Sequence, residues 1–278
     1  MDIETILHVM TTPLKIKFNL DNHEYNNASG FFYYEESSKE STTVAKEIWL
    51  ITNRHVIFEN YIDTNLMKQL NFYQRKFSEN HVSWNEITLD AMEIKKRTKI
   101  HNYVDIDICA IKITDYIKND LPEENSLYEY SNFFAVSDLL LPEHINFPIH
   151  SGDNVILVGY PYGYYDEENL FPIIKSSIIS SKWNTKFNNF PSFIIDKDMV
   201  VGSSGSIVLT KPTNILVIDG KLNLFPSKQF AFLGIYSESV HSGSFKNSGF
   251  IGGGKPNLGM VWYGNIIKDI IDNGKSVE

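Results

Sequence analysis

The stretch IDKDMVVGSSGS, from Ile195 to Ser206, decides how the rest of the chain reads. An apolar run leads into two glycines, Gly202 and Gly205, that bracket Ser204. A serine hydroxyl is a weak nucleophile at neutral pH. Attack by Ser204 therefore needs a neighbouring base, and it leaves an oxyanion that needs donors. Glycine at position 202 lets the backbone bend until the N–H groups of Gly202 and Ser204 point at one oxygen. Gly-Ser clusters are also ordinary turns, so the segment gains meaning only from what else the chain carries.

A base is offered by His55, in EIWLITNRHVIFEN. A β-like run ends at Thr52, and His55 follows where a rigid element hands a side chain to a cleft. A satisfied surface or core histidine is the competing reading. The base must in turn be oriented by a buried carboxylate that fixes its tautomer and stabilises the imidazolium. Asp107, in VDIDICAIKI, directly precedes an apolar β-run. Burying a carboxylate is costly unless it is paired, so a salt-bridged strand-end acid is the alternative. Asp105 points to the same side by pleat alternation, and periodicity does not choose between the two.

Short apolar runs recur along the chain: Leu14–Leu20, Gly30–Tyr34, Ile48–Thr52, Ile94–Ile100, Ile106–Ile113, Asn154–Val158, Phe171–Ser180, Phe193–Ile195, Ser206–Leu209, Phe230–Tyr236 and Leu258–Trp262. Asn, Gly, Asp, Ser and Pro separate them, the pattern of an all-β sandwich or barrel. Helical spacing is clearest at Asn265–Ile271, where four isoleucines share a face and Gly274 can cap. A shorter helix is expected over Ala135–Leu141, and the basic run Glu93–Lys99 reads as a solvated strand face or hairpin. The polar, then Pro-bounded, stretch Asp115–Asp153 connects two halves, 1–140 and 141–278.

At 278 residues, with 42% hydrophobic and 21% charged residues, the chain can bury a full core. A net charge of −9 and no Lys/Arg cluster argue against nucleic acid as a partner. The single cysteine, Cys109, forbids an intrachain disulfide and reads as a small buried residue in a reducing compartment. The start MDIETILHVM does not suit a secretory signal, and no run approaches the length of a membrane span. A cytoplasmic protein without membrane attachment is expected. Asp105/Asp107 and Asp196/Asp198 lack His or Cys at ligand spacing, so no metal and no cofactor are expected. GFIGGGKP, Gly249–Pro256, has the glycines and lysine of a phosphate loop, but Pro256 stands where the Mg²⁺-binding hydroxyl belongs.

Three blocks together resemble the chymotrypsin-like (trypsin-fold) serine proteases. ITNRHVI resembles their LTAAHC or VTNxHV block, DIDICAI their D-[IL]-A-x-[IL] block, and GSSGSIV their G-[DN]-S-G-[GS]-P block. The order His55, Asp107, Ser204 is that family's order. SGFFYY, VILVGYPYG and FPIIKSSIIS are similar to segments of its disulfide-free bacterial members, including the HtrA-like group. The resemblance spans Ser29 to Ile271.

It implies two six-stranded antiparallel β-barrels with a C-terminal α-helix packed on the second barrel. The implied activity is a serine endopeptidase acting on protein or peptide substrates. Ser204 would be the nucleophile, His55 the general base and then acid, and Asp107 the orienting group. The N–H groups of Gly202 and Ser204 would form the oxyanion hole. Tyr236, Ser237, Glu238 and Ser239 would pair with substrate, Ser237 also holding Asp107. Gly259 would leave the primary slot open, and Asp198 at its base would favour Arg or Lys before the scissile bond. Ser203 stands where trypsin-like zymogens carry the Asp that pairs with a new N-terminus, so the loop must be ordered by other contacts or by an activating partner. A protease-fold binding or scaffold protein with an unused triad is the alternative.

Overall fold

The computed structural model describes residues 3–19, 25–37, 45–58, 67–78, 81–117, 135–197, 200–239 and 257–277. After a first helix, α1 (Ile3–Val9), seven strands follow: β1 (Thr11–Lys17), β2 (Asn26–Ser37), β3 (Ala45–Thr52), β4 (Gln69–Ser78), β5 (His81–Asp90), β6 (Thr98–Ile100) and β7 (Cys109–Lys112). A single turn, α2 (Arg54–Ile57), follows β3, α3 (Ala91–Arg97) separates β5 from β6, and α4 (Thr114–Ile117) follows β7. After α5 (Pro142–Ile145) come β8 (Asn154–Gly159), β9 (Ile173–Ile178), β10 (Ser192–Ile195), β11 (Ile207–Thr210), β12 (Thr213–Ile218), β13 (Lys221–Gln229), β14 (Phe232–Ser239) and β15 (Gly259–Tyr263). Helix α6 (Asn265–Asn273) and β16 (Lys275–Ser276) end the described chain.

The strands form two curled antiparallel sheets and a separate hairpin, a trypsin-like pair of half-barrels. The first sheet runs β16-β6-β7-β3-β2-β1-β4-β5, and the second β10-β15-β14-β11-β8-β9. An Ile179–Ile195 bridge joins the two ends of the second sheet. Its six strands match expectation, whereas the first has eight because the short β6 and β16 extend one edge.

Strand alternation explains why the apolar runs are continuous. In β2, Phe31 and Tyr33 face the other sheet while Phe32 and Tyr34 fill their own barrel. Trp49 and Ile51 alternate with Ile48 and Leu50 in β3 in the same way. In the second sheet, Ile156 and Val158 face the first sheet and Val155 and Leu157 turn inward. Strands apolar on both faces are the signature of a layer between two cores. The shared core also takes Ile266, Ile267, Ile270 and Ile271 of α6.

Three expectations are corrected. Helix α6 does not pack on the second sheet alone. Its isoleucines enter the core between the sheets, Lys268 pairs with Glu35 of β2 at 2.6 Å, and Lys99 of β6 donates to the Ile271 carbonyl. The basic run after Asp90 is a helix, not a strand. Asp90 accepts from the N–H groups of Met92 and Glu93, and Glu93 pairs with Arg97 at 2.5 Å one turn on. Ala135–Leu141 is mostly extended, with a 3-10 turn at Asp138–Leu140 and α5 after it. The hairpins β4–β5 and β12–β13 fall outside the apolar runs read from sequence.

The Phe31 and Phe232 rings meet edge-on at 5.6 Å across the two sheets. Phe31→Ala should cost about 3–5 kcal/mol in urea unfolding, whereas Leu222→Ala, on the exposed face of the β12–β13 hairpin, should change stability by less than about 0.5 kcal/mol.

Candidate active site

Strand β3 ends at Thr52, and the extended Asn53 turns the chain into α2, which carries His55. Directly opposite, Asp107 is 1% exposed and precedes β7. The His55 N–H donates to Asp107 Oδ1 at 2.9 Å, and His55 Nδ1 lies 2.7 Å from Asp107 Oδ2. Asn53 Nδ2 donates to the Asp107 carbonyl at 2.7 Å and so fixes the same corner. A carboxylate only accepts, so Nδ1 carries the proton and the lone pair sits on Nε2, the form a base needs. The third donor to the carboxylate is Ser237 Oγ, at 2.5 Å from Oδ2. Asp105 is exposed, which settles the choice that pleat alternation left open.

Ser237 also reaches the other end of the site. Its carbonyl accepts a hydrogen bond from Ser204 Oγ at 2.9 Å. Asp107, His55, Ser237 and Ser204 thus form one hydrogen-bonded group across the two sheets. The residues singled out from the three sequence blocks meet in space, with Ser237 between serine and carboxylate.

The Ser204 loop is held by geometry that only glycine permits. Gly202 and Gly205 have φ of +87° and +86°. A Cβ on Gly205 would lie 1.9 Å from the Ser29 carbonyl oxygen, and one on Gly202 would lie 2.7 Å from the Tyr162 nitrogen. Ser29, fully buried at the start of the FFYY run, clamps this loop from the first sheet. Its N–H donates to the Ser204 carbonyl at 2.8 Å and its Oγ to the Gly202 carbonyl at 2.9 Å. The same Oγ accepts from the Tyr160 N–H at 2.8 Å. Tyr162 N–H donates to the Val201 carbonyl at 2.6 Å. These contacts order the loop where Ser203 offers no charge. Ser29 was missed from sequence because a serine beside a glycine at a strand start looks like any turn.

The amides of the loop divide into two sets. Those of Ser203 and Gly205 donate to the carbonyls of Val200 and Tyr236. Among the described residues, those of Gly202 and Ser204 have no acceptor. Alternating bound and unbound N–H groups around a serine hydroxyl are what a developing oxyanion requires.

Beside Ser204, β14 changes character. Up to Tyr236 it pairs with both β11 and β15, the Tyr236 N–H donating to the Ser206 carbonyl at 2.9 Å. Beyond Tyr236 the register with β15 shifts and resumes at Ser239 opposite Gly259, and among the described residues this end of β14 does not pair with β11. The space at Gly259 is filled rather than open. A Cβ there would lie 2.6 Å from both Tyr236 Cε2 and the Lys197 carbonyl oxygen. Backbone at Glu238 and Ser239 belongs to β14, while Asp198 and Gly249–Pro256 lie outside the described residues.

Other candidate groups are committed elsewhere. His101 Nε2 pairs with Asp269 at 3.0 Å while its Nδ1 accepts from the Tyr103 N–H at 2.9 Å, so both nitrogens are occupied. Cys109 is fully buried, and burial pushes its thiol well above the ordinary range. Among the described residues, no group of three or more His, Cys, Asp or Glu side chains is placed to hold a metal ion. No described helix is long and apolar enough to cross a membrane.

No protein-family profile and no curated protein matches the chain. Among solved structures it is similar to the protease Anisep from Arthrobacter nicotinovorans, with a TM-score of 0.48 and 12% identity over 95% of this chain and 94% of that one. It is also similar to the active form of the Rv3671c protease from M. tuberculosis (TM-score 0.44, 11% identity, 98% and 83% covered). A third is the thermostable serine protease AL20 from an extremophilic microorganism (TM-score 0.41, 11% identity, 92% and 91% covered). What the side chains of this chain do rests on their own geometry.

Ser29→Ala leaves the Gly202 carbonyl and the Tyr160 N–H without their buried partner. It should lower stability by about 1–3 kcal/mol in urea unfolding, and Ser29→Thr should recover part of that loss.

Proposed function

We propose that the chain is a serine endopeptidase working through Ser204, His55 and Asp107. The observation that carries this reading is the buried Asp107 carboxylate, held 2.7 Å from His55 Nδ1 and tied through Ser237 to the Ser204 hydroxyl. In the first step Ser204 Oγ attacks the scissile carbonyl carbon and its proton passes to His55 Nε2. The new oxyanion is received by the N–H groups of Gly202 and Ser204. Collapse breaks the C–N bond, the imidazolium gives its proton to the leaving amine, and the acyl group remains as a Ser204 ester. Water then repeats the sequence, with His55 again as base, and releases the acid.

Substrate would add as an extended strand along Ser237–Ser239, the end of β14 that, among the described residues, does not pair with β11. A donor on that strand would take the Ser237 carbonyl, the group that accepts from the Ser204 hydroxyl. Substrate binding would thereby turn the hydroxyl toward the imidazole. A carboxylate at Asp198 would by charge alone favour Arg or Lys, but the Tyr236 ring against Gly259 leaves little room there for a long side chain.

The hydrogen bond from Ser204 to Ser237 also favours a second reading, a protease fold that binds peptides with its triad unused or latent until a partner arrives. A fluorophosphonate probe separates the two. The purified protein should be modified at one serine, and Ser204→Ala should abolish labelling. Ser204→Ala and His55→Ala should each reduce peptide turnover by about 10⁴–10⁶-fold. Labelling only after a cell extract is added would indicate partner activation, and no labelling under any condition would leave the binding module. Cytosolic residence, the compartment that one unpaired thiol suits, is tested by fractionating the native cells.

A further inference from the structure

The primary pocket of a protease is the recess beside the nucleophile that takes the side chain on the acyl side of the scissile bond. In this chain the described residues that would line it are Ser237 of β14, Gly259 of β15, Ile195 at the end of β10 and Lys197 just after it. Gly259 lies opposite Ser239, and Tyr236 opposite Val261. At the floor, where a glycine would ordinarily leave room, the Tyr236 ring is present. A methyl added at Gly259 would stand 2.6 Å from Tyr236 Cε2, 2.6 Å from the Lys197 carbonyl oxygen and 3.2 Å from Ile195 Cγ1. A real Cβ does not approach other atoms that closely, so not even one carbon fits there. The Tyr236 side chain is 2% exposed and packs among Phe193, Ile195 and Val261 in the core of the second half-barrel.

Tyr236 is also fixed in place. Its carbonyl accepts from the Gly205 N–H at 3.0 Å and its N–H donates to the Ser206 carbonyl at 2.9 Å, one strand away from the nucleophile. Swinging the ring out to admit a long side chain would break core packing on one side and strain this pairing on the other.

We propose that Tyr236 is the specificity-determining residue, closing the floor of the primary pocket so that cleavage follows small side chains such as alanine or serine. This rests on the peptidase reading above. A closed floor also explains why Gly259 is glycine: it makes room for the protein's own ring, not for substrate.

The test uses peptidyl diphenyl phosphonates, identical except for Ala, Phe or Lys at the position next to phosphorus, on the full chain. Their attachment to Ser204 reads pocket fit without needing turnover. The wild-type protein should react with the Ala probe at least about tenfold faster than with the Phe or Lys probe. Tyr236→Val, which removes the ring and keeps a β-branched strand residue, should raise the rate with the Phe probe by about tenfold or more. Equal or faster reaction of the wild type with the Phe or Lys probe overturns the proposal while leaving the peptidase reading intact. If none of these probes and no fluorophosphonate modifies Ser204, the peptidase reading falls and takes this proposal with it. Should Tyr236→Val fail to fold, the wild-type series decides alone.

Discussion

The site depends on burying one carboxylate. Moving an ion such as Asp107 out of water costs several kcal/mol even after relaxation. Three donors converge on it: the His55 N–H, His55 Nδ1 and Ser237 Oγ. Charge-assisted hydrogen bonds contribute about 1.5–3 kcal/mol each, which is the scale of the penalty. The donors come from different places, His55 from the corner after β3 and Ser237 from β14 of the other sheet. Asp107 is therefore satisfied only when the two sheets are docked. The apolar layer between them, with Phe31, Trp49, Phe232 and Trp262 at its heart, assembles the site as it forms.

The same docking orders the Ser204 loop. Ser29 reaches from the first sheet to two loop carbonyls, and Gly205 passes so close to Ser29 that no side chain fits between them. Two positive-φ glycines cost conformational entropy on folding. What they give is a tight loop in which the Gly202 and Ser204 amides have no acceptor among the described residues. Ser203 is fully buried, and its hydroxyl is among the buried polar atoms without a hydrogen-bond partner. Among the described residues, the loop is held by tight backbone contact and the Ser29 hydrogen bonds.

Much of this was legible in the sequence because the chemistry constrains residue types. A strand end with a histidine, an acid before an apolar strand and a serine between glycines are each weak signals, and together they point to residues that the structure brings into one hydrogen-bonded group. The Asn265–Asn273 helix was legible from four isoleucines on one face. What escaped detection depends on tertiary context. Ile94 looked like a strand residue beside its lysines, but the Asp90 cap and the Glu93–Arg97 pair outweigh that local pattern. Ser29 matters through three backbone partners contributed by distant segments, which no spacing rule reveals. Gly259 reads as an open slot until the neighbouring strand is seen to put an aromatic ring against it.

The Ser204–Ser237 hydrogen bond looks at first like an obstacle to catalysis, since the hydroxyl does not rest on its base. The energetics say otherwise. A neutral intramolecular hydrogen bond is worth about 1 kcal/mol net, and rotating the hydroxyl exchanges one such bond for another. Enzymes lower barriers by about 8–23 kcal/mol, so the rotation is a minor term. The carbonyl that holds the hydroxyl lies on the end of β14 that, among the described residues, does not pair with β11. In the proposed peptidase reading, an extended chain pairing there would compete for that same oxygen and bring its own scissile bond past Ser204. One backbone group would then couple occupancy of the cleft to the direction in which the hydroxyl points.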